Sequence, residues 1–158
     1  MTPGSRSNLI DPGSIDWSKV LANWSWIVPA EGKVWLVNRF ADLFLIFPDG
    51  TVHMLDVGAG SLCKVAETKD DFLARADDGD NANNWFMIPL ANQMVAAGIE
   101  LKEGYCYGWK LPPVLGGQYT AENCVTLPVA DYVGGYGSIH RQLQDVPDGQ
   151  QIVLKVVP

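Results

Sequence analysis

Apolar residues recur at helical spacing in three stretches of this chain and run without interruption in a fourth. Trp17, Val20, Leu21, Trp24 and Ile27 share one helical face. Asp16 is a candidate N-cap for that helix, and Pro29 stops it. Residues 33–66 read instead as strands. The run Leu43, Phe44, Leu45, Ile46, Phe47 has no polar alternation and ends at Pro48-Asp49-Gly50, a strong turn signal, so it predicts a central strand covered on both faces. Residues 52–57 and 62–66 follow as further strands around Gly58-Ala59-Gly60, giving an antiparallel meander of three to four strands.

Thr68 followed by Asp71 is a variant capping box and predicts a helix through Phe72 and Leu73. An acidic loop with Asp77, Asp78 and Asp80 comes next. Phe86, Leu90, Met94 and Ala97 then share a helical face, with Gly98 placed as a C-terminal cap. Pro89 marks either a kink or the true start of that helix. Residues 105–118 are too rich in Gly and Pro for a regular element and predict a short strand running into an ordered loop. Val129, Tyr132, Val133, Tyr136, Ile139 and Leu143 recur at helical period. Gly134, Gly135 and Gly137 inside that helix cost about 1 kcal/mol each, which close approach of another element would offset. Pro147-Asp148-Gly149 is a second turn, and residues 151–157 predict a final strand. The whole predicts an α+β fold, a mainly antiparallel sheet with helices packed on it. Residues 1–15, rich in Gly, Pro, Ser and Asn, read as an arm before a single domain at 16–158.

Composition narrows the function. The 158 residues carry 11 Lys+Arg against 18 Asp+Glu, a formal charge of −7. Nucleic acids and anionic lipids both select basic surfaces, so neither is the expected partner. An acidic chain suits a basic protein partner, although acidity also serves solubility. Three widely spaced cysteines, Cys63, Cys106 and Cys124, form neither a disulfide framework nor a C-x-x-C pair. Buried free thiols in the cytoplasm are the natural reading. The N-terminus lacks a signal-peptide pattern, and no apolar run reaches the roughly 20 residues of a membrane span.

A search for chemistry finds little. His53 and His140 lack the partners of a metal site and read as ordinary strand or surface histidines. Ser138 and His140 are two apart on a helix and face different directions, outside any nucleophile elbow. Cys106 sits between Tyr105 and Tyr107 with nothing nearby to activate it. Asp77, Asp78 and Asp80 resemble half a calcium loop whose remainder is missing. The glycines at 58, 60, 116 and 117 fit turns and no phosphate cradle. The expected protein has no cofactor, no metal and no catalytic role.

One segment carries a resemblance. Tyr107-Gly108-Trp109-Lys110-Leu111-Pro112-Pro113-Val114-Leu115-Gly116-Gly117-Gln118-Tyr119, with Glu122-Asn123, resembles the signature of the C-terminal domain of bacterial type VI secretion DNase-immunity proteins. Gly137 to Leu143 and the turn at Val146 to Gly149 continue it, and Ala41-Asp42-Leu43-Phe44 stands where members often carry Gly-Asp. The similarity spans about residues 17–157. It implies an α+β fold akin to the SMI1/KNR4 (SUKH) group and a protein that neutralises a toxin, often a nuclease, by binding it. The best-known members place a GAD-like domain before this one, where this chain has its short arm. Trp109, Pro112, Pro113, Gly116, Gly117, Asn123, Asp148 and Gly149 are expected to hold the fold. Asp77, Asp78 and Asp80 are the candidate partner contacts. Two other readings stand beside this one: a homodimer that exchanges the N-terminal arm, and a small enzyme with a deep pocket near His53 or Cys106.

Overall fold

The structure, a computed structural model, describes residues 8–147 and Gly149. The fold is α+β. Five antiparallel strands stand in sequence order: β1 (Leu9–Ile10), β2 (Lys33–Asn38), β3 (Leu43–Ile46), β4 (Val52–Asp56) and β5 (Ser61–Ala66). A second, two-stranded antiparallel sheet pairs β6 (Tyr105–Trp109) with β7 (Cys124–Pro128). The helices are α1 (Trp17–Val20), α2 (Lys69–Ala76), α3 (Asn81–Trp85), α4 (Ile88–Ala96) and α5 (Val129–Leu143), with a 3-10 turn at Leu21–Trp24.

The uninterrupted apolar run becomes β3, and Leu43, Phe44 and Leu45 are fully buried. Successive residues of a strand point to opposite faces. Leu43 and Leu45 meet α5 and the Trp24 turn on one face, while Phe44 meets Phe72 and Phe86 of the α2–α3 region on the other. A register shift between Val34 and Leu36 re-aims β2 at that point. A third apolar cluster lies between Phe40, Met94 of α4 and Tyr107, Trp109 and Cys124 of the small sheet.

Local signals govern several boundaries. Thr68 Oγ1 accepts the Asp71 N–H at 3.0 Å, and the Asp71 carboxylate reaches back to the Glu67 N–H at 2.9 Å. Pro89 stands in the first turn of α4, behind Met87 at φ 50°, so it starts the helix rather than kinking one. Gly98 at φ 79° ends α4, with Ile99 N–H donating to the Met94 carbonyl. A Cβ on Gly137 would lie 2.8 Å from both the Asn23 carbonyl and the Trp24 ring, which is the close approach its helix position requires. Gly135 has no such neighbour.

Four expectations change. The helix expected over residues 16–28 is one short turn of α-helix followed by the 3-10 turn, because Trp24 is turned inward to donate its indole N–H to the Val133 carbonyl at 2.7 Å. Leu9 and Ile10, assigned to the arm, form a strand on β2 of the same chain. Cys63 is exposed on β5 rather than buried. His140 is buried rather than superficial: its ring packs against Gly60, and Nε2 lies 2.9 Å from the Val57 carbonyl. The strand expected at 151–157, Asp148, and the first seven residues of the arm lie outside the described residues.

Candidate partner-binding surface

The Gly/Pro-rich segment after β6 is an ordered loop built around one side chain, Asn123. Its Oδ1 accepts the Leu111 N–H at 3.0 Å, and its Nδ2 donates to the carbonyls of Leu111 and Gln118, both at 2.9 Å. The Asn123 carbonyl accepts the Lys110 N–H at 2.8 Å. Both donor positions and one of the two acceptor positions of one amide are therefore spent on closing the loop. Pro112 and Pro113 lead into a 3-10 turn at Pro113–Leu115, and the Pro112 carbonyl accepts from Leu115 and Gly117. Gly116 sits at φ 100°, a region that favours glycine. Gly117 passes so close to the strand that a Cβ would lie 1.8 Å from the Leu111 carbonyl oxygen. Trp109 anchors the base, stacked on Phe40 with ring centroids 5.8 Å apart and edge-on to Tyr119 at 5.3 Å.

Trp109, Pro112, Pro113, Gly116, Gly117 and Asn123 thus meet in this loop and its base. Gly149, at φ 81°, lies elsewhere in a turn. The side chains that the loop presents are ones the sequence reading passed over: Leu111 is 48% exposed, Val114 42% and Tyr119 51%. Their signal in the sequence was large apolar residues within a Gly/Pro segment that has no amphipathic period.

Asp77, Asp78 and Asp80 are all exposed in the link between α2 and α3, with Gly79 at φ 55°. Asp78 N–H and the Asn81 amide both donate to the Arg75 carbonyl, so this acidic link also closes the end of α2. Among the described residues, no group of three or more His, Cys, Asp or Glu is gathered as a metal site. A cleft of about 570 Å³ lies between residues 9–14, Arg39 and the 98–105 segment. Neither His53 nor Cys106 lines it. Burial pushes the Cys106 thiol up, away from the thiolate a nucleophile needs.

A polar network lies in the interior. Asp42 is buried, with Oδ1 accepting the Val57 N–H at 2.9 Å and Oδ2 the Asn38 amide at 3.0 Å. Asn38 in turn accepts the N–H groups of Phe40 and Asp42 and donates to the Trp85 carbonyl. With Val57 also held by His140, this network ties the β2–β3 turn, the end of β4 and α5 together. Ala41, buried at φ 61°, takes the left-handed position at which the family resemblance places a glycine. The Tyr136 hydroxyl is buried near Tyr132 without hydrogen-bond geometry, and burial holds its phenol at about 12.

Burial, reinforced by Asp56, raises Asp42 from the ordinary carboxylate range to about 7, against the Asn38 and Val57 donors that favour the anion. A raised carboxylate means that the folded state binds the extra proton. Its contribution is therefore complete below about pH 4 and is lost as pH rises toward 7. Burial lowers His140, which acts oppositely by weakening the fold as pH falls through the ordinary histidine range. The difference in unfolding free energy between wild type and Asp42→Asn isolates the carboxylate. Measured by urea unfolding, that difference is expected to shift against wild type by a few kcal/mol between pH 4 and 7. A shift in wild type's favour would show that the two donors keep Asp42 ionised.

No helix among the described residues is long and apolar enough to cross a membrane. No curated protein matches the chain. A family model does match, and its span runs from the last residue of β5 to His140 in α5, shorter at both ends than the resemblance at 17–157 suggested. That span contains α2 to α4, the small sheet and the whole Asn123 loop. Residues 66–140 match the family model described as T6SS immunity protein Tdi1, C-terminal.

Proposed function

We propose that this protein is an immunity module that binds a bacterial toxin and blocks it by direct contact, with no chemistry of its own. The match of residues 66–140 to an immunity-protein family carries this reading. The charge of −7 supports a basic target such as a nuclease, whose substrate channel is itself built to hold a polyanion. The α+β fold agrees with the likeness to the SMI1/KNR4 group. Asp77, Asp78 and Asp80, exposed and free of metal geometry, add long-range attraction that speeds encounter. The protein acts in the cytoplasm, where a nuclease toxin meets its substrate. The alternative of a homodimer exchanging its arm gains no support from Leu9 and Ile10, which pair within their own chain.

The test is growth of a neutral bacterial host expressing each reading frame that neighbours this gene, with and without the chain. One neighbour is expected to be lethal alone and harmless in its presence. If this protein suppresses the toxicity of none of them, the immunity reading falls.

A further inference from the structure

We propose that the 110–123 loop is the anchor of the toxin interface, its side chains Leu111, Val114 and Tyr119 entering an apolar pocket on a basic protein. This rests on the immunity reading and adds the surface and the chemistry of the partner.

The first argument is exposure. Of the four large apolar side chains that stand out as exposed among the described residues, three are on this one loop: Leu111, Val114 and Tyr119. Single exposed apolar residues are ordinary, but a group of them on one short segment marks an interaction site. The second is rigidity. The Asn123 amide, the Pro112 carbonyl and the contact of Gly117 with Leu111 fix the backbone before any partner arrives. The Trp109 ring meets Tyr119 edge-on from below. A contact already ordered loses little conformational freedom on binding, which is how a small apolar group comes to dominate an interface.

The third argument selects the occupant. Burial and, after it, the negative charge of Asp56 hold the Tyr119 phenol above its ordinary range. Glu122 is exposed in the 3-10 turn Ala121–Asn123 that closes the same loop. Asp56 and Glu122 outnumber Lys110, the exposed cation at the start of the loop, and the chain as a whole carries −7, so this apolar knob fits a pocket rimmed by Lys and Arg. A second copy of this chain brings another −7 and the same negative field, so self-association through this face is opposed.

The experiment uses the neighbouring gene product that the growth assay identifies as lethal, in a catalytically inactivated form, as the probe against the full chain. Binding is followed by titration calorimetry and stopped flow. The variant Leu111→Ser/Val114→Ser/Tyr119→Ser is expected to melt like wild type, to raise Kd by at least about 100-fold and to lose rescue. Should its melting change, Val114→Lys, a single exposed substitution, decides the question by the same loss. Glu122→Lys is expected to slow association several-fold and flatten its salt dependence while leaving dissociation unchanged. Wild-type affinity in both loop variants, with rescue intact, overturns the anchor and leaves the immunity reading standing. Failure of wild type itself to bind or rescue removes the immunity reading and the anchor with it. A wild-type dimer in sedimentation that the loop variants dissolve would assign the surface to a second copy and overturn the proposal.

Discussion

Replacing Trp24 with alanine is expected to cost about 4 kcal/mol of stability, within the range for emptying a buried aromatic site. The side chain is 0% exposed, and its indole N–H donates to the Val133 carbonyl at 2.7 Å. It stacks on Trp26 with centroids 5.8 Å apart, lies 5.7 Å from His140 and fills the space left by Gly137 on α5. Alanine removes packing on three sides, and the 3-10 turn that carries the residue is too short to hold itself in place. Since a domain of this size has only about 5–15 kcal/mol in total, the variant sits near the limit of folding. Urea unfolding measures the loss. Trp24→Phe, which keeps most of the volume and gives up the hydrogen bond, should lose a smaller share, about 1–2 kcal/mol. A cost below about 1 kcal/mol for alanine would show that α5 does not depend on this turn.

The elements that were legible in the sequence are those whose cause is local. An unbroken apolar run required cover on both faces, and β3 has it. Thr68 with Asp71, Pro89 and Gly98 each set a helix end through a bond or a φ angle that belongs to its own neighbourhood. Gly137 was readable as a close approach because a glycine inside a helix needs a compensating contact.

What escaped depends on distant partners. Strand β7 has only a short alternation of its own and exists because β6 lies beside it. Asp42 looks like a surface residue between Ala41 and Leu43; its burial follows from Val57, fifteen positions on, and from Asn38. His140 is buried because Gly60 leaves room for its ring and Val57 supplies a carbonyl, both some eighty residues earlier. The candidate surface was half legible. The motif residues that shape the loop were singled out, while Leu111, Val114 and Tyr119 were not. Their exposure is a consequence of the loop's closure and of no periodicity.

That closure makes Gly117 the position where one methyl group should do most damage. A Cβ there would stand 1.8 Å from the Leu111 carbonyl oxygen, 2.7 Å from its carbon and 2.9 Å from the Asn123 amide nitrogen. Two of these are backbone atoms, so no side-chain rotation relieves the overlap, and the strand end and the loop must separate. Separation breaks the hydrogen bonds between Asn123 and Leu111 along with the bond from Gly117 N–H to Pro112. Gly117→Ala is therefore expected to cost about 3 kcal/mol, overpacking and lost bonds combined. Gly116→Ala provides the contrast: its Cβ would meet nothing within 4 Å, and the cost is the φ of 100° alone, about 1–2 kcal/mol. Much of the Gly117 effect should be local, because Trp109 and Cys124 beneath the loop remain packed in the core. Amide hydrogen exchange is the measurement that separates local from global loss. The N–H groups of Lys110, Leu111 and Gly117 should lose protection in Gly117→Ala while those of β3 keep most of theirs. If the loop is the proposed anchor, toxin binding weakens in proportion to the loosened loop, with Leu111, Val114 and Tyr119 all still present. Unchanged exchange at Leu111 would mean that the loop is not fastened through Asn123 and that its apolar edge is not pre-formed.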